Sequence, residues 1–211
     1  FGFFPAFSLG WRISNESFME NTKEWLNNLK LRASYGQVGN DVYTVGGVAQ
    51  RFLYEEKWSQ ISNDYMFGTS GKSGIYETQY PNYGVTWERA HKYNVGLEFG
   101  LWNGLLNGNI DLFHEKRNDI LTNYLTRPEW VGVTMAAGNL GETVNSGFEI
   151  ELKHNNHIGK EFQYNVGLTF SHAKNEIKNM DEPALKTDYR KREGHPIGQY
   201  YGLVCDGFVT A

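Results

Sequence analysis

Residues 93–113, YNVGLEFGLWNGLLNGNIDLF, constrain the fold more than any other stretch of the chain. Two alternating runs flank Asn103-Gly104, the dipeptide of a two-residue hairpin turn. Folding on that turn sets Leu101 opposite Leu106, Phe99 opposite Gly108, Leu97 opposite Ile110 and Val95 opposite Leu112, all on one side of the ribbon. The other side pairs Glu98 with Asn109, Gly100 with Asn107 and Gly96 with Asp111. A one-residue slip would destroy the agreement between the two strands, so the register is fixed. The ribbon has one apolar and one wet face. Alternation leaves open whether the apolar face meets a protein core, as in a soluble sandwich, or lipid, as in a membrane barrel with a polar lumen.

The same period of two recurs along the chain. Phe7, Leu9, Trp11 and Ile13 alternate with Ser8, Gly10, Arg12 and Ser14; Leu29, Leu31, Ala33 and Tyr35 alternate with Lys30, Arg32 and Ser34. Further on, Phe148, Ile150 and Leu152 alternate with Glu149, Glu151 and Lys153, and the run from Phe162 to Ser171 follows the same rule. With a last strand near residues 199–210, about seven strands are expected. Aromatic residues make up 15% of the chain and glycines number 24, which suits an all-β protein. Short links fall at 15–28, 102–105 and 154–161, long ones at 37–86, 117–143 and 173–198. Short turns at one end and long loops at the other are the layout of an outer-membrane barrel with extracellular loops. The first short link has room for one or two helical turns capped by Asn15. No apolar run reaches the length of a spanning helix, which excludes helical membrane proteins and leaves barrels untouched. The chain opens without an initiator Met or a signal sequence and stops inside an alternating run, so further residues are expected on both sides.

Chemistry-bearing residues give little support to catalysis. The wet-face carboxylates Glu98, Asp111, Glu149 and Glu151 invite a glycosidase reading, but they share their face with Asn, Gly, Ser, Thr and Lys, and nothing desolvates one of them. A hydrated lumen lined by Glu98, Asn109, Asp111, Glu149 and Glu151 accounts for them, with Leu97, Phe99, Leu101, Ile110 and Leu112 facing lipid. His154 and His157 are close in sequence but lack a third ligand, so neither a metal nor any other cofactor is expected. Cys205 stands alone. The net charge of −4 and the lack of a basic stripe give no case for nucleic acid. The long segments carry Trp58, Tyr65, Tyr76, Tyr80, Tyr83, Trp130 and Tyr189 among Asn, Asp, Gly and Ser, a mixture suited to sugars or peptides because rings pack on C–H surfaces while polar groups take hydrogen bonds. Mutual packing of the loops would use the same aromatics. Trp11, Trp87 and Trp102, near strand ends, fit interfacial girdles.

Several blocks together, FFPAFSLGWRISNESFM, WLNNLKLRASYGQVGND, YPNYGVTWERAHKYNVGLEFGLWNGLLNGNIDLFHEKRNDIL, GNLGETVNSGFEIEL and REGHPIGQYYGLVCDGF, resemble consecutive segments of the SusC/RagA family of TonB-dependent outer-membrane transporters. They arrive in the family's order and cover most of the chain outside the long loops. The resemblance implies that residues 1–211 are part of a barrel of about 22 strands, a size at which the lumen takes a plug. The family's plug, its TonB-contacting segment and its last strands have no counterpart in these blocks. It also implies an active importer of oligosaccharides or peptides in the outer membrane of Bacteroidetes-type bacteria, not an enzyme, energised through TonB and working with a SusD-like surface lipoprotein. The alternative is a soluble carbohydrate-binding β-sandwich, which would stay in solution without detergent.

Overall fold

The computed structural model describes residues 2–45, 47–127, 129–159, 161–184, 187–202, 204, 205 and 207. Its main feature is a six-stranded antiparallel sheet in the order β1-β2-β7-β8-β10-β11. These strands are β1 (Ala6–Arg12), β2 (Leu26–Asn40), β7 (Glu88–Leu101), β8 (Leu106–Thr122), β10 (Gly138–Ile158) and β11 (Phe162–Asn179). Between β2 and β7 lie the hairpin of β3 (Tyr43–Val45) and β4 (Val48–Gln50) and that of β5 (Lys57–Phe67) and β6 (Ser70–Tyr80). A short β9 (Thr134–Met135), between β8 and β10, runs parallel to the end of β6.

The hairpin that fixes the fold has the expected register, from Leu101↔Leu106 through Leu97↔Ile110 to Val95↔Leu112. Asn103 and Gly104 both take positive φ, at 54° and 87°, and the Leu105 amide donates to the Trp102 carbonyl at 3.2 Å. That is the primed turn whose twist matches the strands it joins. Three further bonds hold it against the neighbouring connection: the Trp102 amide donates to the Trp25 carbonyl at 2.8 Å, Asn27 Nδ2 donates to Asn103 Oδ1 at 2.8 Å, and the Asn103 amide donates to Asn27 Oδ1.

Because directly opposed residues share a face, the ladder sorts side chains into rows across the whole sheet. One face carries Trp11, Leu31, Leu97, Ile110, Ile150 and Phe170 in one row, and Leu9, Ala33, Val95, Leu112, Phe148 and His172 in the next. The other face carries Lys30, Glu98, Asn109, Glu151 and Thr169, then Arg32, Gly96, Asp111, Glu149 and Ser171. Among the described residues no second layer covers the apolar face: Val95 is 47% exposed, Leu112 56% and Leu168 62%. A sandwich core would bury these side chains, so the soluble alternative is not favoured. Among the described residues, a cluster of buried apolar side chains, Leu53, Ala136 and Ala137 with Tyr43, Val85 and Leu121 against it, lies instead among the long connections.

The register also shows a lean. Arg12 ends its hairpin at the level of Glu98, three residues short of Leu101, while Ile158 ends its hairpin four residues past His154, the partner of Leu106. Seven residues over four strand spacings is about 23 Å along the strands against about 19 Å across them. With the three hairpin ends at one level, the strands tilt by about 50°, close to the ~45° of membrane-spanning strands. The sheet is a partial wall of an antiparallel barrel, with short turns at one end and long connections at the other.

Among the described residues the wall has six strands; the expected last one, near residues 199–210, falls partly outside the described residues, and its described residues 199–202, 204, 205 and 207 are irregular. Two expectations need correction. The strands run well into the expected long links, and β10, at 21 residues, starts at Gly138 inside the link expected at 117–143 and runs to Ile158 inside the short link expected at 154–161. The first link does contain helical turns, but as 3-10 segments Ile13–Asn15 and Ser17–Thr22; Glu16, not Asn15, precedes the second, and its side chain accepts from Trp11 Nε1 at 2.9 Å instead of capping.

Candidate functional site

On the polar face, the β2–β7 pairing carries Lys30 and Arg32 toward the carboxylates of the opening hairpin. Arg32 Nη2 donates to Asp111 Oδ2 at 2.6 Å and to Asn109 Oδ1 at 3.2 Å, and Asn109 Nδ2 donates to Asp111 Oδ2 at 2.8 Å. Arg32 Nε and Lys30 Nζ each approach Glu98 Oε1 to 3.3 Å, the former at ion-pair distance but without hydrogen-bond alignment. The arginine crosses β7 at Gly96, where a Cβ would stand 2.5 Å from Arg32 Nε and 2.8 Å from Asp111 Oδ1. A missing side chain there opens the path for the guanidinium, and Asp111 is buried beneath it at 8% exposure.

Glu149 lies directly opposite Asp111, and Glu151 opposite Asn109, so four of the five expected polar-face residues line one shallow groove with Thr169 and Ser171. Glu98 lies beside it on the row of Asn109 and Glu151. Lys153 Nζ reaches Glu151 Oε1 at 2.6 Å. Glu98, Asp111 and Glu151 are thus engaged by cations as structural counter-ions, and the arrangement presents a fixed, hydrogen-bonding wall rather than an acid and a nucleophile aimed at one bond. His154 and His157, three residues apart in a regular strand, point to opposite faces, and His154 Nε2 meets the Tyr164 hydroxyl at 3.3 Å.

The expected aromatic set is partly gathered. Trp58 and Tyr76 belong to the β5–β6 hairpin, Trp58 opposite Glu77 and Tyr76 opposite Ser59. Tyr80 closes β6, beside β9; the Tyr65 side chain lies outside the described residues. The Tyr83 hydroxyl donates to Glu56 Oε1 at 2.9 Å, and this bond, with the nearby Glu56 and Glu77 charges, holds its pKa above the usual phenol value of 10.0. Trp58, Glu77, Glu56 and Tyr83 therefore form one exposed aromatic and carboxylate cluster. Trp130 is 85% exposed in the segment that leads to β9, whereas Tyr189 sits apart in a 3-10 turn after β11. Among the described residues no ring-to-ring contact joins these aromatics to one another.

Sequence reasoning missed the residues that fix the long connections. Asn139 Nδ2 donates to the Thr86 and Asp119 carbonyls at 2.8 and 2.7 Å while its Oδ1 accepts from the Thr86 amide at 2.9 Å. Asn82 Nδ2 donates to the Ala137 carbonyl at 2.9 Å. The GNLG and PNYG motifs carried a signal, since asparagine beside glycine marks a place where a side chain replaces a backbone partner.

The chain matches the family described as TonB dependent receptor-like, beta-barrel, over residues 1–199. It is 30% identical over 203 residues to TonB-dependent receptor P39 of Formosa agariphila, covering 95% of this chain and 18% of that protein. It is 30% identical over 185 residues to TonB-dependent receptor SusC of Bacteroides thetaiotaomicron, covering 85% of this chain and 17% of that one. Among solved structures it superposes on the RagAB peptide importer in its closed-closed state with a TM-score of 0.69 at 22% identity, over 92% of this chain and 20% of that chain, a likeness of fold. The chain spans about a fifth of the length of the curated relatives it matches.

Proposed function

Because the chain belongs to the TonB dependent receptor-like β-barrel family, we propose that residues 1–211 form part of the barrel wall and outer loops of an outer-membrane importer. The observation that carries this reading is the six-stranded sheet with an uncovered apolar face on one side and a charged, hydrated face on the other. Leu97, Phe99, Leu101, Ile110 and Leu112 face hydrocarbon; Glu98, Asn109, Asp111, Glu149 and Glu151 line the water-filled interior. β1 and β11 have open edges in the sheet, which hydrocarbon does not tolerate, so other strands of the whole protein close the barrel.

The cargo is an oligosaccharide or a peptide, met by Trp58, Tyr65, Tyr76, Tyr80, Tyr83, Trp130 and Tyr189 on the outer loops. Exposed rings beside carboxylates and amides suit either class; the similarity to TonB-dependent receptor SusC supports TonB as the energy source, and a SusD-like lipoprotein is the partner that goes with this reading.

Cysteine accessibility tests the orientation in the full-length protein within outer-membrane vesicles. In a Cys205→Ser background, a water-soluble thiol reagent labels cysteines placed at Glu98 and Asp111 and spares those at Leu97 and Ile110. Labelling of Leu97 with protection of Glu98 overturns the reading. Uptake assays with TonB depleted then test the import itself: uptake that persists undiminished excludes a TonB-energised transporter.

A further inference from the structure

Phe113 is out of place on the polar face. It shares a row with Ser34, Asn94, Gly147 and Ala173, between the rows of Asp111 and Glu115, and among the described residues it is the one Phe, Tyr or Trp of the six strands on that side. Its ring reaches across to β10 at Gly147, where a Cβ would stand 2.6 Å from Phe113 Cζ and 2.2 Å from the His172 carbonyl oxygen. Gly147 gives the ring a seat and Ala173 beyond it adds only a methyl group, so the ring stays half-buried rather than covered.

The polar side chains around this ring differ from the rest of the wall. Toward the loops stand Asn145 and Asn175, opposite one another; toward the turns stand Glu149 and Ser171, likewise opposed; Asn94 flanks the ring on β7. Elsewhere on the face Asp111, Glu98 and Glu115 are tied down by Arg32, Lys30, Lys92 and Arg117. By contrast, Asn94, Asn145, Glu149 and Ser171 form no side-chain hydrogen bond or ion pair among the described residues, and Asn175 commits only its Oδ1, to the Ile197 amide at 2.7 Å. The ring stands between two open grooves, one of about 310 Å³ that takes in Glu149 and Ser171, the other of about 640 Å³ that takes in Asn145 and Asn175. From Glu149 to Asn145 is four residues of strand, about 13 Å, a length that suits a short oligomer rather than a single small solute.

Amides and hydroxyls both donate and accept, as sugar hydroxyls do, and the C–H face of a pyranose packs on an aromatic ring. An extended peptide presents alternate side chains that need pockets, whereas Gly147 and Ala173 leave a flat strip. The unpaired Glu149 carboxylate disfavours an acidic sugar. We propose that Phe113, with Asn145, Asn175, Glu149 and Ser171 around it, is a binding station for a neutral glycan on the inner wall, with one pyranose unit on the ring and its neighbours on the amides and the carboxylate. This assignment commits the importer's cargo to the glycan class and rests on the polar face lining the interior.

In the full-length Cys205→Ser protein, purified in detergent, a cysteine replaces Ala173 and its reaction with a water-soluble thiol reagent is timed with maltohexaose, laminarihexaose, xylohexaose, mannohexaose or a mixed-sequence hexapeptide library present. At least one hexaose slows the reaction about ten-fold at saturation. Phe113→Leu, which keeps an apolar side chain and loses the ring, raises the half-protecting concentration about ten-fold and Asn145→Ala about five-fold, while Phe113→Tyr leaves it unchanged. Free labelling with no protection by any hexaose, or protection that survives Phe113→Leu, overturns the station and leaves the face in the lumen. Protection by the peptides alone assigns the ring to a peptide cargo and overturns the glycan. A cysteine at Ala173 that stays unlabelled while one at Glu98 reacts shows the ring covered by the protein's own interior, which also overturns the station; no reaction at either position removes the polar lining itself.

Discussion

An arginine moved along one face of β8 gives the sharpest test of what that face meets. Leu106, Ile110 and His114 lie on the same side of the strand at four-residue intervals, from the turn end to the row of Tyr93 and His114. Eight residues at ~3.3 Å rise span about 26 Å, or roughly 19 Å of height at a tilt near 45°, comparable to the ~25 Å apolar band of membrane barrels. Ile110 is then close to the bilayer midplane and the other two are near its edges. Ile110→Arg should cost about 2–4 kcal/mol, whereas Leu106→Arg and His114→Arg should each cost about 0–1 kcal/mol. The central variant thus shifts the unfolding equilibrium by about 30- to 900-fold and the outer ones by about five-fold at most. Guanidinium unfolding of the full-length protein in phosphatidylcholine vesicles, followed by intrinsic fluorescence, reads the difference. A protein core would rank the three by local burial. A flat profile, or one highest at Leu106 or His114, refutes the membrane geometry.

Three further outcomes follow from the polar face and the loops. Arg32→Met strands the buried Asp111 carboxylate and should destabilise the protein by about 1–3 kcal/mol, less than a fully buried pair because the arginine side chain is 36% exposed; adding Asp111→Asn should recover most of the loss in a double-mutant unfolding cycle. Gly96→Val should cost a similar ~1–3 kcal/mol by displacing the guanidinium, and its effect should shrink when Arg32 is already methionine, since the clash is then with a flexible apolar chain. The Tyr83 hydroxyl should titrate above pH 10.0, and Glu56→Gln should lower that midpoint, as read by ultraviolet difference absorbance. The sign follows from the raised folded value: the Tyr83–Glu56 contact contributes fully below the unfolded phenol pKa and is lost as pH rises through the folded one, so alkali should loosen this loop contact first.

The wall was legible in the sequence because strand alternation is local and the Asn-Gly turn fixes one register outright. Once Val95–Leu101 and Leu106–Leu112 agree, the runs around Leu31 and Ile150 join them by parity. The neighbours of that hairpin were not legible. β2 reaches β7 across the whole 41–87 connection, so no local pattern announced that Lys30 and Arg32 would neutralise Glu98 and Asp111. The hairpin of β5 and β6 was hidden for a different reason: KWSQISNDYMF and SGKSGIYETQY have polar residues on both sides, and without a buried face period-two reasoning has nothing to detect. Its partner β9 is a two-residue parallel bridge, held by the Ala136 amide on the Tyr80 carbonyl at 2.9 Å, which is invisible to pattern reading.

Strand length carries the last step, from wall to ligand. A tilted crossing needs about 9–11 residues, yet β8 has 17, β10 has 21 and β11 has 18. The apolar rows stop at Tyr93 and His114, but the ladder continues to Glu88 on β7 and to Thr122 on β8. Eight residues from His114 to Thr122 are about 26 Å of strand beyond the apolar rows, some 19 Å of height at a tilt near 45°. That rim is not smooth: the ladder is interrupted around Asn139 and Gly141, and at Gly141 a Cβ would lie 2.8 Å from the Ile120 Cβ. There Asn139 ties the rim to Thr86 and Asp119, and the Leu53, Ala136 and Ala137 cluster packs the two long connections together. The β5–β6 hairpin that bears Trp58 is thus joined to a hydrogen-bonded scaffold rather than to a free chain, which in the proposed role would lower the entropy lost when a ligand packs on its ring. In the proposed importer, the extended wall would carry that contact above the hydrocarbon, on the side from which a hydrated cargo arrives.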